Sequence, residues 1–242
     1  MSTEPIVTPF FRLSFPTVFK PRAVAGSDKE TFSIQMIFID QAPFYPKGED
    51  GGITCPGGMD PAMFEKIKAD YAKDPTLAIQ LRRAAVTACK EKWGDDKTKW
   101  PGILRAIDPL THVSMNGKDG WPIRDGNTVS WDGFKGVFFA KAGANADRKP
   151  GVVDAMRNHI TEPSKVYGGL IARAQINAFA YEHKTGGPGV SFGLNHLQII
   201  KDDGTRFGGA AGPVEEAFGA WNDGSIDPNA AAATGVVSTE DF

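Results

Sequence analysis

The sequence predicts a mainly β fold of the α+β kind: strands that close a small barrel, interrupted by one helical insertion. Three observations lead there. Stretches with an apolar residue at every second position occur on both sides of the middle of the chain, the period of half-buried strands. Between them lie two segments that open on Asp-Pro and place apolar residues three or four apart, the period of helices. The 28 glycines and 17 prolines among 242 residues supply many turns, which suits short strands better than a helical bundle.

The first strand is predicted over 6–19, IVTPFFRLSFPTVF, with Phe11, Leu13 and Phe15 on one face and Arg12 and Ser14 on the other. The second covers 31–39, TFSIQMIFI, where Phe32, Ile34, Met36 and Phe38 point one way. PRAVAGSDKE between them is a turn-rich connection. After the Gly/Pro-rich loop QAPFYPKGEDGGITCPGG, Asp60 caps a helix that begins at Pro61, where the missing N–H costs nothing. Met63, Ile67 and Tyr71 recur at intervals of four. Asp74-Pro75 repeats the start signal for a second helix, whose apolar stripe is Leu77, Leu81, Ala84, Ala85 and Ala88 and whose stop is Gly94. Arg82, Arg83, Lys90 and Lys92 are expected on its solvated side.

Residues 95–133 are rich in loops, with a short strand near 127–131. Strands return at 134–142, 168–181 and 189–200, and a short helix is expected around 152–159. About five or six strands of this length close a small barrel and not a large one. From about Ala210 periodicity is lost: 214–221 fits one short helix, and residues 222–242 have the composition of a disordered tail. The expected organisation is one domain over 1–218, carrying the insertion at about 60–94, and a flexible acidic tail over 219–242.

The net charge of −2 hides an asymmetry. No lysine or arginine occurs after Arg206, whereas Glu215, Glu216, Asp223, Asp227, Glu240 and Asp241 do. With those six removed from the 29 acids, the body sets 27 basic against 23 acidic side chains, a formal +4. A mildly basic body with an acidic tail favours an anionic partner. No apolar run approaches the ~18 residues a membrane span needs, and MSTEPIVTPF lacks a basic-then-apolar leader. A cytoplasmic protein without membrane contact is expected. Cys55 and Cys89 are expected as free thiols.

Enzyme chemistry finds little support. His112, His159, His183 and His196 have no metal-ligand spacing with either cysteine or with a carboxylate pair. GGPGVSFG at 186–193 lacks the Lys-Ser/Thr of a P-loop and fits a hairpin turn. No G-x-S-x-G occurs. Catalytic residues, metal and cofactor are all expected to be absent.

The candidate site lies on two strands. In 170–181, Leu170, Ala172, Ala174, Ile176, Ala178 and Ala180 form a small apolar face. The other face carries Arg173, Gln175, Asn177, Phe179 and Tyr181, a cation, two amides and two rings. Rings stack on bases and amides bond their edges; such stacking is worth ~1–3 kcal/mol per base and tolerates any sequence. In 134–142 the corresponding face would hold Lys135, Phe139 and Lys141. Side by side, the two faces would form a stacking platform of Phe139 and Phe179 flanked by Lys141 and Arg173, with Arg148 and Lys149 of the next loop on phosphates. The alternative is that the rings pack beneath the inserted helices and the cations are merely solvated. At the other end, Glu240, Asp241 and Phe242 offer charges and a ring for a partner protein's pocket.

Three blocks carry a family resemblance: RLSFPTVFKPRA at 12–23, RDGNT…WDGFKGVFFAKAGANADRKPGVVD at 124–154, and YGGLIARAQINAFAYEHKTGGPGVSFGLNHLQIIKDDGTRFGG at 167–209. Spanning most of 8–218, the chain resembles the bacteriophage single-stranded-DNA-binding proteins. The resemblance implies an OB-like barrel and sequence-independent binding of single-stranded DNA in phage DNA replication or recombination. STEDF is similar to the acidic, phenylalanine-ended tails with which other single-strand binders recruit replication proteins. The rival reading is a phage structural or protein-interaction component that turns the mixed face toward another protein; a nuclease ranks third.

Overall fold

The computed structural model of the chain describes residues 2–24, 28–49, 52–100, 104–105, 108–183 and 187–207. The chain divides into Met1–Gly208 and Gly209–Phe242. The expected helix at 214–221, the 218/219 boundary and the acidic tail lie outside the described residues.

The first unit is built on β1 (Ile6–Val7), β2 (Phe11–Ala23), β3 (Glu30–Phe38), α1 (Pro61–Lys73), α2 (Ile79–Trp93), β4 (Ile123–Asp125), β5 (Phe138–Asn145), β6 (Gly151–Val153), β7 (Ile171–His183) and β8 (Gly187–Lys201). Five of the strands close on themselves. β2 pairs with β3 and β3 with β5, both antiparallel; β5 runs parallel to β8; β8 pairs antiparallel with β7, and β7 returns to β2. That ring, antiparallel but for one parallel contact, is the small Greek-key barrel of the OB type. β1 extends the edge of β7 beyond β2, β4 pairs with the start of β5, and β6 prolongs the β5 edge along β8. The helices occupy the connection between the second and third barrel strands, as predicted.

The interior is filled by the period-two faces. Phe11, Leu13 and Val18 of β2, Ile34 and Met36 of β3, Ala140 and Ala142 of β5, and Phe192, Leu194 and Leu197 of β8 meet in one core. β7 contributes Ala172, Ala174, Ile176, Ala178 and Ala180. This small-residue face has a consequence: α2 packs against β7 and β8 and brings its own alanines, Ala84, Ala85 and Ala88, into the same core. Leu81 beside them is sealed, worth roughly 1.5–3 kcal/mol for a fully buried leucine.

Several local expectations are corrected. β2 does not keep its alternation: a register shift falls between Ser14 and Thr17, and Phe15 adopts φ 44°, which turns its ring outward. Pro16 sits in that irregularity, where the ladder asks for no N–H. The strand expected from 134 starts at Phe138, because 134–137 form a turn with Val137 N–H donating to the Phe134 carbonyl. No helix forms at 152–159. Asp154 Oδ1 accepts from Met156 N and Asn158 N, Arg157 takes φ 70°, and a turn succeeds β6 instead. Asp60 caps α1 through Ala62 N and Met63 N, as predicted. Asp74 does not cap α2; it accepts from Thr76 N and Thr76 Oγ1, and the helix begins after Ala78 with no side-chain cap. Arg82 is buried rather than solvated, 3.6 Å from Asp74 Oδ2 with its guanidinium over the Phe138 ring. Met63, expected in the apolar stripe of α1, is exposed, and Phe64 and Ile67 face inward.

Candidate nucleic-acid interface

β7 and β8 make the floor. The outward residues of β7 are Arg173, Gln175, Asn177 and Phe179, all half-buried, and Tyr181, which is exposed. They alternate with the sealed alanines and Ile176, so the backbone cannot rotate them away without exposing the core. Opposite them β8 presents very little. Gly193 pairs with Asn177, Ser191 with Phe179 and Gly189 with Tyr181. A Cβ at Gly193 would stand 2.8 Å from Asn177 Oδ1, and one at Gly189 2.6 Å from Tyr181 Oη. The amide and the phenol therefore lie flat across the neighbouring strand. Gly143 of β5 pairs with Gly193 and carries the lowered floor one strand further.

The turn after β5 raises one wall. Arg148 N–H donates to the Asn145 carbonyl at 2.9 Å, which folds residues 145–150 up beside β8. A cleft of ≈ 240 Å³ lies between Asn145, Arg148, Asn177, Phe179 and Gly193. A second, of ≈ 480 Å³, continues past Arg148 and Lys149 to Gln175 and His196. Arg148, Leu194 and Asn195 line both, so the two form one groove. Asn195 projects into it because β8 bulges there: Ile176 pairs with Leu194 but Gln175 with His196, leaving Asn195 without a partner strand residue. Ser2 and Pro5, on the far side of β7, close the opposite edge.

The electrostatics favour an anion. Arg148 and Lys149 are exposed, and neither forms a salt bridge among the described residues. Lys149 Nζ rests 5.7 Å from the Phe19 ring centroid, which steadies the side chain without neutralising it. Asp147 is the acid beside them on the rim. Local desolvation of the phenol, which lies against Gly189, pushes Tyr181 above its ordinary value, so it stays a neutral donor and ring.

Of the predicted site residues, Arg148, Lys149, Gln175, Asn177 and Phe179 line this groove. Tyr181 continues its row, with its ring centroid 6.4 Å from that of Phe179. Lys141 is exposed on the outer face of β5, paired with Gln35, and Lys135 is exposed in the turn before β5. Arg173 does not flank Phe179: six residues separate them on one strand, about 20 Å. Its Nε donates to Gln198 Oε1 at 2.8 Å and its guanidinium lies over Phe10. Phe139 is a plain correction. It does face the same way as Lys141, but the segment leading into β5 folds back over it. Phe134 and Trp131 stand edge-on at 4.8 and 6.1 Å, Arg124 lies 4.9 Å above its centroid, and the ring is 0 % exposed. No base reaches it in this conformation. Glu240, Asp241 and Phe242 lie outside the described residues.

Ser2, Asn145, Asn195 and the floor glycines were not predicted. The glycines had a signal: Gly189, Ser191 and Gly193 recur at period two in GVSFG, marking one strand face kept low.

A barrel of the OB type with a groove of amides, one ring and unpaired cations on its outer face defines a class, that of proteins built to hold an extended polyanion. The family model described as "Enterobacter phage Enc34, ssDNA-binding protein" matches residues 73–227, and the chain belongs to that family of phage single-stranded-DNA-binding proteins. Protein p50 of Acyrthosiphon pisum secondary endosymbiont phage 1 is 25% identical over 206 residues, 85% of this chain and 88% of that protein. Among solved structures, the single-stranded DNA-binding protein from bacteriophage Enc34 in complex with ssDNA is 18% identical, with TM-score 0.49, covering 84% of this chain and 89% of that one. The bacteriophage T7 single-stranded DNA-binding protein gp2.5 is 13% identical, with TM-score 0.48 and coverage of 93% and 99%. At these identities both are distant likenesses, and the family assignment rests on the family model.

Proposed function

We propose that this protein binds single-stranded DNA without sequence preference, in the groove over β7 and β8, and acts in phage DNA replication or recombination. The observation that carries the reading is the convergence of Phe179, Asn177, Gln175, Arg148 and Lys149 on one groove. Phe179 and Tyr181 offer π-faces to unpaired bases, which a duplex keeps stacked within itself. The amides of Asn177 and Gln175 both donate and accept, so they bond any base edge. Arg148 and Lys149, with Lys141 one strand away and Lys135 beyond it, neutralise phosphates and release counterions.

The role is non-catalytic: binding alone accounts for the groove. No helix of the described residues is long and apolar enough to cross a membrane. A phage protein working on replicating DNA acts in the host cytoplasm. The domain over 1–218 does the binding, and the acidic end at 219–242, with Glu240, Asp241 and Phe242, recruits a replication or recombination protein. A gel-shift titration of single- against double-stranded oligonucleotides at two salt concentrations tests the reading. Tight, salt-sensitive, composition-independent binding of the single strand is expected. Equal binding of duplex, or salt-insensitive binding, refutes it.

A further inference from the structure

We infer that the bound strand leaves the groove across the outer faces of β5, β3 and β2 and stacks at its far end on a second aromatic station, Phe15 with Trp131. The inference rests on the groove reading above and extends it by naming where the strand goes.

The station is built, not incidental. Phe15 holds φ 44°, a left-handed conformation that a bulky residue adopts only at a cost of about 1–3 kcal/mol. The twist places its ring outside the barrel, 50% exposed, where the alternation of β2 would have buried it with Phe11 and Leu13. Trp131, 38% exposed, meets it edge-on with centroids 5.2 Å apart. Both rest on a buried base: Trp131 stands 5.2 Å from Phe134 and Phe15 6.2 Å from it. Two large rings are thus held rigidly in solvent, which prepays the ordering that stacking requires.

A row of register-paired residues joins this station to the groove. Strand pairing aligns Phe179 with Ser191, Lys141 with Gln35, and Gln35 with Ser14, the neighbour of Phe15. The Gly193–Gly143 pairing brings Lys141 level with Ser191, so these residues form one row across five strands. At about 4.8 Å per strand the row spans roughly 19 Å, and one OB fold covers ~4–16 nucleotides of a single strand. The row is polar, with Lys141 exposed, Ser191 and Gln35 half-buried and Ser14 buried. Lys141 and Lys135 are exposed and form no salt bridge among the described residues, a complement to phosphate. An apolar protein partner would leave these groups unmatched, whereas a single strand satisfies them and caps the rings.

The test is fluorescence-anisotropy binding of the full chain to dT20, with Phe15→Leu/Trp131→Leu, Phe15→Tyr/Trp131→Phe and Phe179→Leu compared with the parent, and thermal melts of each. The leucine pair keeps apolar bulk and removes both π-faces; an affinity loss of about 5-fold or more is expected, at an unchanged slope of log K against log salt, since no phosphate contact is lost. The Tyr/Phe pair is expected to bind like the parent, which separates ring chemistry from a packing defect. If the leucine pair binds like the parent while Phe179→Leu weakens, the second station is overturned and the groove stands. Should the leucine pair weaken and Phe179→Leu not, the station stands and the groove floor is overturned. If neither weakens, both fall.

Discussion

Replacing Arg148 and Lys149 together by alanine should change the salt dependence of DNA binding by an amount the groove predicts. Both side chains are exposed at the wall and form no salt bridge among the described residues, so their loss disturbs little beyond the contact of Lys149 with Phe19. With Lys141 and Lys135 they make four cations assigned to the phosphates of the bound strand. Each neutralised phosphate contributes a slope of about −0.7 in log K against log salt for single strands. The parent should therefore show about −2.8, and lose roughly 50-fold in affinity between 50 and 200 mM salt. The double variant keeps two of the four, with a slope near −1.4 and a loss of about 7-fold over the same range. Anisotropy titrations of labelled dT20 at four salt concentrations measure both lines. Parallel lines for parent and variant would show that the 145–150 turn touches no phosphate, and the reasoning from exposed, unpaired cations would be wrong.

The packing has other consequences. Phe179→Ala should weaken binding to poly-T and mixed oligomers alike, by about 1–3 kcal/mol; a loss confined to one sequence would mean base reading rather than stacking. Phe139→Ala should cost about 3–5 kcal/mol of stability, whereas Phe139→Leu should fold and bind DNA like the parent; weakened binding by a well-folded leucine variant would return Phe139 to the interface. Burial pushes the Cys89 thiol up to about 12, and Cys55 is exposed, so one thiol should react with a disulfide reagent at pH 8 in the native protein and two after denaturation. Arg12 donates to both oxygens of Asp203, at 3.0 and 2.8 Å, and holds that carboxyl well below the usual range. Its contribution is complete above the unfolded value near 3.9 and is lost as pH falls through the folded value. Asp203→Asn should lower the melting temperature at pH 7, by at most about 1 kcal/mol in stability at this partly exposed pair, and the difference should shrink toward pH 2.

The sequence made β7 and its two faces legible because a strand buried on one side must alternate, and the alanines that face α2 kept that alternation clean. It made the helical insertion legible for the same reason at the other period. What it hid was decided by segments folding onto faces that the alternation had marked as open. Phe139 shares a face with Lys141, yet the chain ahead of β5 returns and lays Trp131 and Phe134 over it, a contact that no local pattern encodes. Phe15 matched the buried face until a bulge beside Pro16 reversed it. Arg82 belonged to the polar side of its helix by position, and the Asp74 carboxylate and the Phe138 ring drew it into the fold. The groove itself emerges only once strand register sets Gly193 between Asn177 and Gly143, because depth in a sheet surface comes from what the neighbouring strand leaves out.

The most direct measurement is photo-crosslinking of 5-iodouracil-substituted single-stranded DNA to the full chain, with adducts mapped by mass spectrometry. Adducts on the peptide that contains Phe179 and Tyr181 are the predicted result. Adducts confined to the α1 and α2 helices, with β7 unmodified, would contradict the assignment of the β7–β8 face as the place where unpaired bases lie.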